Sequence, residues 1–186
     1  MMKQHNTFLL GKNFCYFIIL VSLILILYAC PYGSPYKLDK DPSIAVDETL
    51  LGKWTTVILN KKGNQQPVEM ILSKKNDTEY NINFIGNLND LRSYKVVKND
   101  TIKGSAYMSL VADWYFLNIE IKGQTYISAM IYKNDTLSLM PLADGFTAKY
   151  IKSDSQLRNA LEVHIKTREY PRFDEQFCLK DMVRVN

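Results

Sequence analysis

Short runs of alternating apolar and polar residues fill the chain from residue 49 onward. Within Thr78–Ile85 and within Leu117–Lys122, apolar residues alternate with polar ones. This period of two is typical of a β-strand with one buried and one solvated face. In the second run we expect Asn118 and Glu120 on the solvated face. Residues 125–132 are apolar on both faces, which predicts a more deeply buried strand.

Turn signals separate these runs at intervals mostly of 10–13 residues, with one longer gap between residues 100 and 122. Such spacing predicts antiparallel hairpins in series, that is, a meander closed into a barrel or a sandwich. Asn, Asp and Gly suit hairpin tips because they tolerate positive φ angles. The turn candidates are Lys62-Gly63-Asn64, Asn76-Asp77, Gly86-Asn87, Asn99-Asp100, Lys122-Gly123, Asn134-Asp135 and Asp144-Gly145.

Three of these turns share the tetrad Lys-Asn-Asp-Thr, which ends at Thr78, Thr101 and Thr136. We interpret each tetrad as a hairpin tip from which the threonine starts the returning strand. An alternative comes from a resemblance. Asp100-Thr101-Ile102 and Asp135-Thr136-Leu137 resemble the short acceptor for O-glycosylation of envelope proteins in some Gram-negative bacteria.

One helix is predicted after the meander. Ser153 caps it, and Gln156 stands three residues further on, as in a capping box. The helix should end near Thr167, and a last strand over about 175–185 should complete the domain. Four residues share its apolar face at helical spacing: Leu157, Ala160, Leu161 and His164.

The N-terminal part of the chain has a different composition. Residues 1–13 are polar and contain Lys3 and Lys12 but no acid, and residues 14–29 are almost wholly apolar. An apolar run of this length forms about 24 Å of helix, which is short for a bilayer core of roughly 30 Å. The run and its basic flank are therefore typical of a signal peptide over residues 1–29.

The apolar run ends in Leu27-Tyr28-Ala29-Cys30, which resembles the lipobox of bacterial lipoproteins. The resemblance implies cleavage before Cys30, diacylation of its sulfur with fatty acids such as palmitate, and attachment to the membrane of the cell envelope. Tyr28 alone departs from the pattern, because a small residue is usual there. Pro31 stands in place of the aspartate of an inner-membrane retention signal, so the outer membrane is the expected location. The alternative is an uncleaved signal anchor.

Residues 30–48 are expected to link this anchor to the domain. Three prolines in the segment remove backbone donors and fix φ, which predicts an extended, irregular tether. The domain itself is assigned to residues 49–186. Cys178 is the one cysteine left without lipid after cleavage, so no disulfide can form within the domain. It stands in a β-like run and is interpreted as a small core residue.

The tripeptide Gly52-Lys53-Trp54 stands at the start of the domain. Glycine and tryptophan at this spacing in a first strand resemble the opening of lipocalins and related calycin barrels. The resemblance covers residues 49–186 and implies a mainly β fold: an antiparallel meander closed into a small barrel, with one C-terminal helix and a last strand. It also implies that Trp54 plugs the closed end against a late arginine. Three arginines are candidates for that partner: Arg168, Arg172 and Arg184. The alternative is another antiparallel β fold in which Trp54 is an ordinary core residue.

The net charge of +4 is reduced when the leader is removed. Without Lys3 and Lys12 the chain carries 21 basic and 19 acidic residues, and the two signs alternate along the sequence. A nucleic-acid-binding protein usually presents a basic patch or stripe. We therefore expect no nucleic-acid partner.

The chain offers little catalytic chemistry. His164 is the one histidine outside the leader, so a serine or cysteine hydrolase would need it as the base. No metal-binding motif and no glycine-rich phosphate loop is present in the sequence. Asp113 and Glu120 come closest to a pair of carboxylates for acid–base catalysis. We expect no enzymatic activity, no cofactor and no metal.

Two functions of different classes remain. The first is a carrier that binds a small hydrophobic or amphipathic ligand inside the barrel, for which 12 tyrosines and seven methionines supply adaptable lining. The second is an interaction module with a filled barrel that docks another envelope protein or polymer. The first is preferred on the resemblance of the fold.

Overall fold

The computed structural model describes six stretches of the chain: residues 33–59, 65–86, 101–147, 150–167, 171–175 and 177–185. The expectations for the leader and Cys30 lie outside the described residues, as do the turns at Gly63, Asn87 and Asn99-Asp100 and the arginine at 168.

The described residues form nine strands, one short 3-10 helix and one α-helix. The 3-10 helix is Glu48–Leu50, and the α-helix, α1, is Asp154–Lys166. The strands are β1 Gly33–Ser34, β2 Gly52–Leu59, β3 Gln65–Lys74, β4 Tyr80–Gly86, β5 Thr101–Val111, β6 Trp114–Ile121, β7 Gln124–Lys133, β8 Thr136–Pro141 and β9 Leu179–Val185.

Strands β2 to β9 form a closed antiparallel barrel of eight strands. From β2 to β8, strands that follow each other in sequence are neighbours in the wall. Strand β9 then pairs with both β8 and β2 and closes the barrel. This confirms the predicted mainly β meander with one helix and a last strand, which begins at Leu179.

The hairpin tips follow the predicted turn chemistry at two positions. Lys122 and Gly123 have φ angles of 50° and 79°, and Asn134 and Asp135 have 52° and 57°. Paired positive φ angles fit the type I′ turn, whose twist matches that of the flanking strands. A further tip, at Ala112 between β5 and β6, was not predicted. Its φ is 54°, but alanine carries no turn signal, which explains the long gap between signals.

Two apolar clusters lie on opposite sides of the barrel wall. The interior cluster includes Trp54, Met70 and Leu117. The outer cluster joins Phe116 of β6 to Leu157 and Leu161 of α1, so the helix packs on the outside of the wall. Strands β5 to β7 are therefore buried on both faces over much of their length. The apolar run at 125–132 predicts this arrangement, which holds over 125–130, whereas Ile131 and Tyr132 are 43% and 41% exposed.

Helix α1 begins where the sequence indicates. The Ser153 Oγ accepts a hydrogen bond from the Gln156 backbone amide at 3.3 Å. The Gln156 side chain accepts from the Lys152 amide at 2.9 Å, one residue earlier than in a standard capping box. Thr167 is the C-cap. The buried face includes Ile165, whereas His164 is only partly buried.

The N-terminal segment differs from the spacer expected over residues 31–48. Its described part, residues 33–48, lies against the barrel, and the compact unit extends from Pro31 to Asn186. Gly33 and Ser34 pair with β7, and Leu38 is 2% exposed within the outer cluster. Proline removes some backbone donors from this segment, but the amides of Leu38, Val46 and Asp47 find acceptors on the barrel, and the segment packs against it.

The predicted position of Asn118 on a solvated face is wrong. The alternation in β6 placed it on a solvated face, yet its side chain is fully buried. The N-terminal segment covers this face, and the Asn118 Oδ1 accepts a hydrogen bond from the Leu38 amide at 2.9 Å. Its Nδ2 donates to the Ser109 Oγ at 2.8 Å. Phe116 on the same face is a sequence signal of this cover, because it is apolar and out of phase with Leu117.

We predict that Asn118→Ala lowers the free energy of unfolding by about 1–3 kcal/mol, because it leaves the buried Leu38 amide without its acceptor. Chemical denaturation monitored by circular dichroism measures the change. Asn81→Ala, at an exposed position of β4, is the matched control and should stay within about 0.5 kcal/mol of wild type. Equal, small losses in the free energy of unfolding for both variants would show that the hydrogen bond between Leu38 and Asn118 contributes little to stability.

Candidate functional site

One end of the barrel is closed around Trp54. The Trp54 side chain is 1% exposed, and its Nε1 donates a hydrogen bond to the Leu50 carbonyl oxygen at 2.9 Å. Gly52 has a φ of 129°, a conformation that residues with a Cβ rarely adopt. The backbone at the start of β2 therefore requires the glycine of the Gly-Lys-Trp motif.

Arg184 lies over this tryptophan. Trp54 and Arg184 are register partners on β2 and β9, and the guanidinium carbon is 5.0 Å from the centroid of the indole ring. This distance is within the range of a cation–π interaction. The guanidinium also donates a hydrogen bond to the Thr49 carbonyl oxygen. Tyr132 contacts the indole edge-on, with ring centroids 6.1 Å apart. Of the three arginines that the sequence offered, the structure places Arg184 against Trp54.

The 3-10 helix completes this end. Leu50, its last residue, is 1% exposed and belongs to the interior cluster. The Asp47 side chain caps the helix by accepting from the Thr49 amide at 2.8 Å. The Asp47 amide donates to the hydroxyl of Tyr80 at 2.7 Å, and burial raises the pKa of Tyr80. We call the residues Leu50, Trp54, Tyr80, Tyr132 and Arg184 the closed end.

Apolar side chains are partly buried at the opposite end of the interior. Because strand direction alternates, the last residues of β2, β4 and β6 lie at the same end as the first residues of β5 and β7. Five apolar or aromatic side chains from these strand ends pack against the interior cluster and are only partly buried. We call them the rim: Ile58, Phe84, Ile102, Ile121 and Tyr126.

The register shows that the rim continues the interior face of the wall. Phe84 is the partner of Ile102, and Tyr126 is the partner of the buried Ile119. An eight-stranded barrel is just wide enough to be filled by its own side chains or to hold one small ligand. The partly exposed apolar lining at this end is compatible with binding of an apolar group at the rim.

The two candidates for nucleophilic catalysis are not assembled into a site. Cys178 is buried just before β9, its Sγ lies 3.3 Å from the Asp174 carbonyl oxygen, and burial raises its pKa. A thiol of this kind is a poor nucleophile, because the thiolate is the reactive form. His164 lies on α1, where its ring is 6.3 Å from that of Phe146.

The two candidate carboxylates lie at opposite ends of β6. Asp113 is exposed in the turn that precedes the strand, and Glu120 is close to its last residue. At ~3.3 Å per residue the two positions are roughly 23 Å apart, too far for a pair acting on one bond. The Glu120 carboxylate forms a salt bridge with the Lys37 ammonium at 2.9 Å. It therefore helps to hold the N-terminal segment.

Within the described stretches, no group of three or more His, Cys, Asp or Glu side chains is placed to hold a metal ion. None of the helices in the described part of the chain has the length and apolar character needed to cross a membrane.

Comparison with known proteins assigns no family to the chain. No protein-family model matches the chain. Neither a curated protein nor a solved structure matches it. The class that the fold defines is thus a closed, eight-stranded antiparallel β-barrel with an outer helix.

We predict that Trp54→Ala lowers the free energy of unfolding by about 3–5 kcal/mol, the range for a large aromatic residue lost from a core. Thermal and urea unfolding provide the measurement. Tyr150→Ala is the control, because Tyr150 is 82% exposed. A loss below about 1 kcal/mol for Trp54→Ala would contradict the role of the tryptophan as a plug.

Proposed function

We propose that this protein is a lipid-anchored lipoprotein of the bacterial envelope, with a lipocalin-like barrel that binds a small hydrophobic or amphipathic ligand at the rim. The observation that carries the proposal is the partly exposed apolar lining of the barrel interior at the rim. The aromatic and aliphatic side chains of the rim pack against the buried interior cluster. A small number of apolar side chains of this kind suits a hydrophobic or amphipathic ligand.

The lipocalin-like assignment is supported by three features that meet at the closed end. Glycine in the Gly-Lys-Trp motif has a backbone angle that other residues rarely adopt. A 3-10 helix precedes the first barrel strand, and a late arginine covers the tryptophan. The lipoprotein assignment is supported by the sequence Leu27-Tyr28-Ala29-Cys30 at the end of the apolar leader. The outer membrane is the proposed location, since Pro31 follows the cysteine.

A second candidate function is an interaction module. It is favoured by aliphatic side chains on the outer wall, on strands that α1 does not cover. Val57 of β2 is 56% exposed, and Val183 of β9 is 51% exposed. An exposed apolar patch is a frequent mark of a protein–protein contact. In this case the barrel interior would be filled and another envelope component would dock on the wall.

The anchor is tested by metabolic labelling with radioactive palmitate in a bacterial host. The full chain should incorporate label and sediment with membranes, and Cys30→Ser should lose the label, because the lipidated sulfur is gone. Cys15→Ser, within the leader, is the matched control and should keep both properties. Label that persists in Cys30→Ser would refute lipidation at this residue.

The ligand is tested by native mass spectrometry of the protein purified from membranes. We predict a bound mass that is lost on denaturation. Ile121→Gln should reduce its occupancy, because the substitution places an amide in the apolar rim. Val57→Gln, on the outer face, should leave the occupancy unchanged. An apo mass for the wild type, also after incubation with envelope lipid extract, would favour the interaction module.

A further inference from the structure

We propose that the side chains that hold residues 36–39 against the barrel form a peptide-binding site. The chain's own N-terminal segment occupies this site until an extended segment of a partner protein displaces it. The matching partner segment carries a basic, an aliphatic and an acidic residue in succession. The inference depends neither on the lipid anchor nor on a ligand inside the barrel. We call the following side chains the segment site: Tyr107, Asn118, Glu120, Asp154 and Arg158.

The segment site binds the backbone of its occupant through side chains. The Lys37 amide donates a hydrogen bond to the Asp154 carboxylate at 3.0 Å. The next amide, that of Leu38, donates to the Asn118 Oδ1 at 2.9 Å. Because every peptide has backbone amides, such contacts give affinity for an extended segment, and the pockets for its side chains then give specificity.

The polar side chains of the site are held in place by further hydrogen bonds. The Asn118 side chain is fully buried, and its Nδ2 donates to the Ser109 Oγ at 2.8 Å, while its Oδ1 accepts from the segment. The Tyr107 hydroxyl donates to the Asp39 carbonyl oxygen at 2.6 Å, and burial raises the pKa of Tyr107, so this donor stays protonated. A buried amide oxygen without a donor is costly. The site is therefore suited to an occupant that brings backbone donors.

The side chains of the segment define which occupant fits. Leu38 is 2% exposed and belongs to the outer cluster. Before it, the Lys37 ammonium forms a salt bridge with Glu120 at 2.9 Å, and after it the Asp39 carboxylate forms one with Arg158 at 2.6 Å. An occupant with a basic residue before the aliphatic one and an acidic residue after it matches these charges. The reverse order would place like charges together at both positions.

The N-terminal segment is held less firmly than the strands of the barrel. Of residues 33–43 only Ser34 and Leu38 are buried, and strand β1 has two residues. Both salt bridges of the segment are partly exposed, so salt screens them. A segment with few buried apolar contacts opens at a smaller free energy than the whole domain. The segment can therefore leave its site while the wall of the barrel stays closed.

A partner protein gains more from this site than a second copy does. The chain's own segment is linked to the domain and competes at an effective concentration of millimolar order. A second copy offers only the contacts that each chain already makes within itself, so exchange between copies adds none. A partner segment can add contacts along the edge of β7, where β1 pairs with only Thr125 and Tyr126. Those added contacts favour displacement by a partner.

The test uses the full chain in detergent micelles and two fluorescent peptides of identical composition. One peptide has the sequence of residues 33–40, and in the other the basic and the acidic residue on either side of the leucine are exchanged. Wild type is compared with Leu38→Ser, which weakens the hold on the chain's own segment. It is also compared with Glu120→Lys/Arg158→Glu, which repels that segment and reverses the charges of the site. Circular dichroism verifies folding, and fluorescence anisotropy gives the dissociation constants.

We expect Leu38→Ser to bind the native peptide about tenfold more tightly than the exchanged peptide, because exchange places like charges together. The double variant should prefer the exchanged peptide, and wild type should bind both weakly, since its own segment competes. Equal affinity of the two peptides for either variant, or no saturable binding by Leu38→Ser at millimolar peptide, would overturn the proposal. If Leu38→Ser does not fold, the preference of the double variant decides alone.

Native mass spectrometry of the same proteins identifies the source of the displacing segment. We expect a monomeric wild type, and a monomer with one bound native peptide for Leu38→Ser. A wild-type dimer that separates into monomers when the native peptide is added would overturn the choice of a partner protein, since a second copy would then supply the segment.

Discussion

Closure of the sheet by β9 is the constraint on which the rest of the structure depends. The hairpins from β2 to β8 alone would leave two open edges, and an open strand edge pairs readily with other chains. β9 removes both edges by pairing with β2 on one side and β8 on the other. It also carries Arg184 to the indole ring of Trp54, so the strand that closes the wall also seals one end. The register between the first and last barrel strands therefore determines both the closure of the wall and the position of Arg184.

One side of the barrel wall is covered by other parts of the chain, and on this side the alternation of apolar and polar residues fails to predict which side chains are buried. Helix α1 and the N-terminal segment lie on the outer face of β5 to β7, and this face carries Phe116, Ile127 and Ala129. A buried polar residue is tolerated there because its hydrogen bonds are satisfied. Asn118 bonds to the Leu38 amide and to the Ser109 hydroxyl. On the opposite outer face, aliphatic residues such as Val183 are exposed among the described residues.

Local patterns in the sequence predict most of the barrel. Period-two alternation locates β4 and β6, and a serine cap locates α1. Residue types that tolerate positive φ locate the tips at Lys122-Gly123 and Asn134-Asp135. The packing of residues 33–48 could not be predicted in this way. Its contacts join residues about 30 to 120 positions apart, such as Asp47 with Tyr80 and Lys37 with Asp154. The choice of Arg184 among three arginines likewise depends on the register of β9, which no local signal specifies.

The rim could be anticipated only in part, because alternation identifies inward-facing residues but not the end of the barrel at which Trp54 and Arg184 lie. The end at which the N-terminal segment joins the wall is set by the path of the chain. The N-terminal segment joins the wall at the rim, yet β2 must begin at the closed end, beside Trp54. Residues 35–47 therefore cross the length of the barrel, and Arg158 pins them midway by a 2.6 Å salt bridge to Asp39. At ~3.3 Å per residue, an eight-residue strand is about 26 Å long, and the segment is long enough to cross it obliquely. A chain that began β2 without this crossing would have its N-terminus at the sealed end. The segment that resembles a tether in composition is thus what brings the N-terminus and the rim to the same end of the molecule.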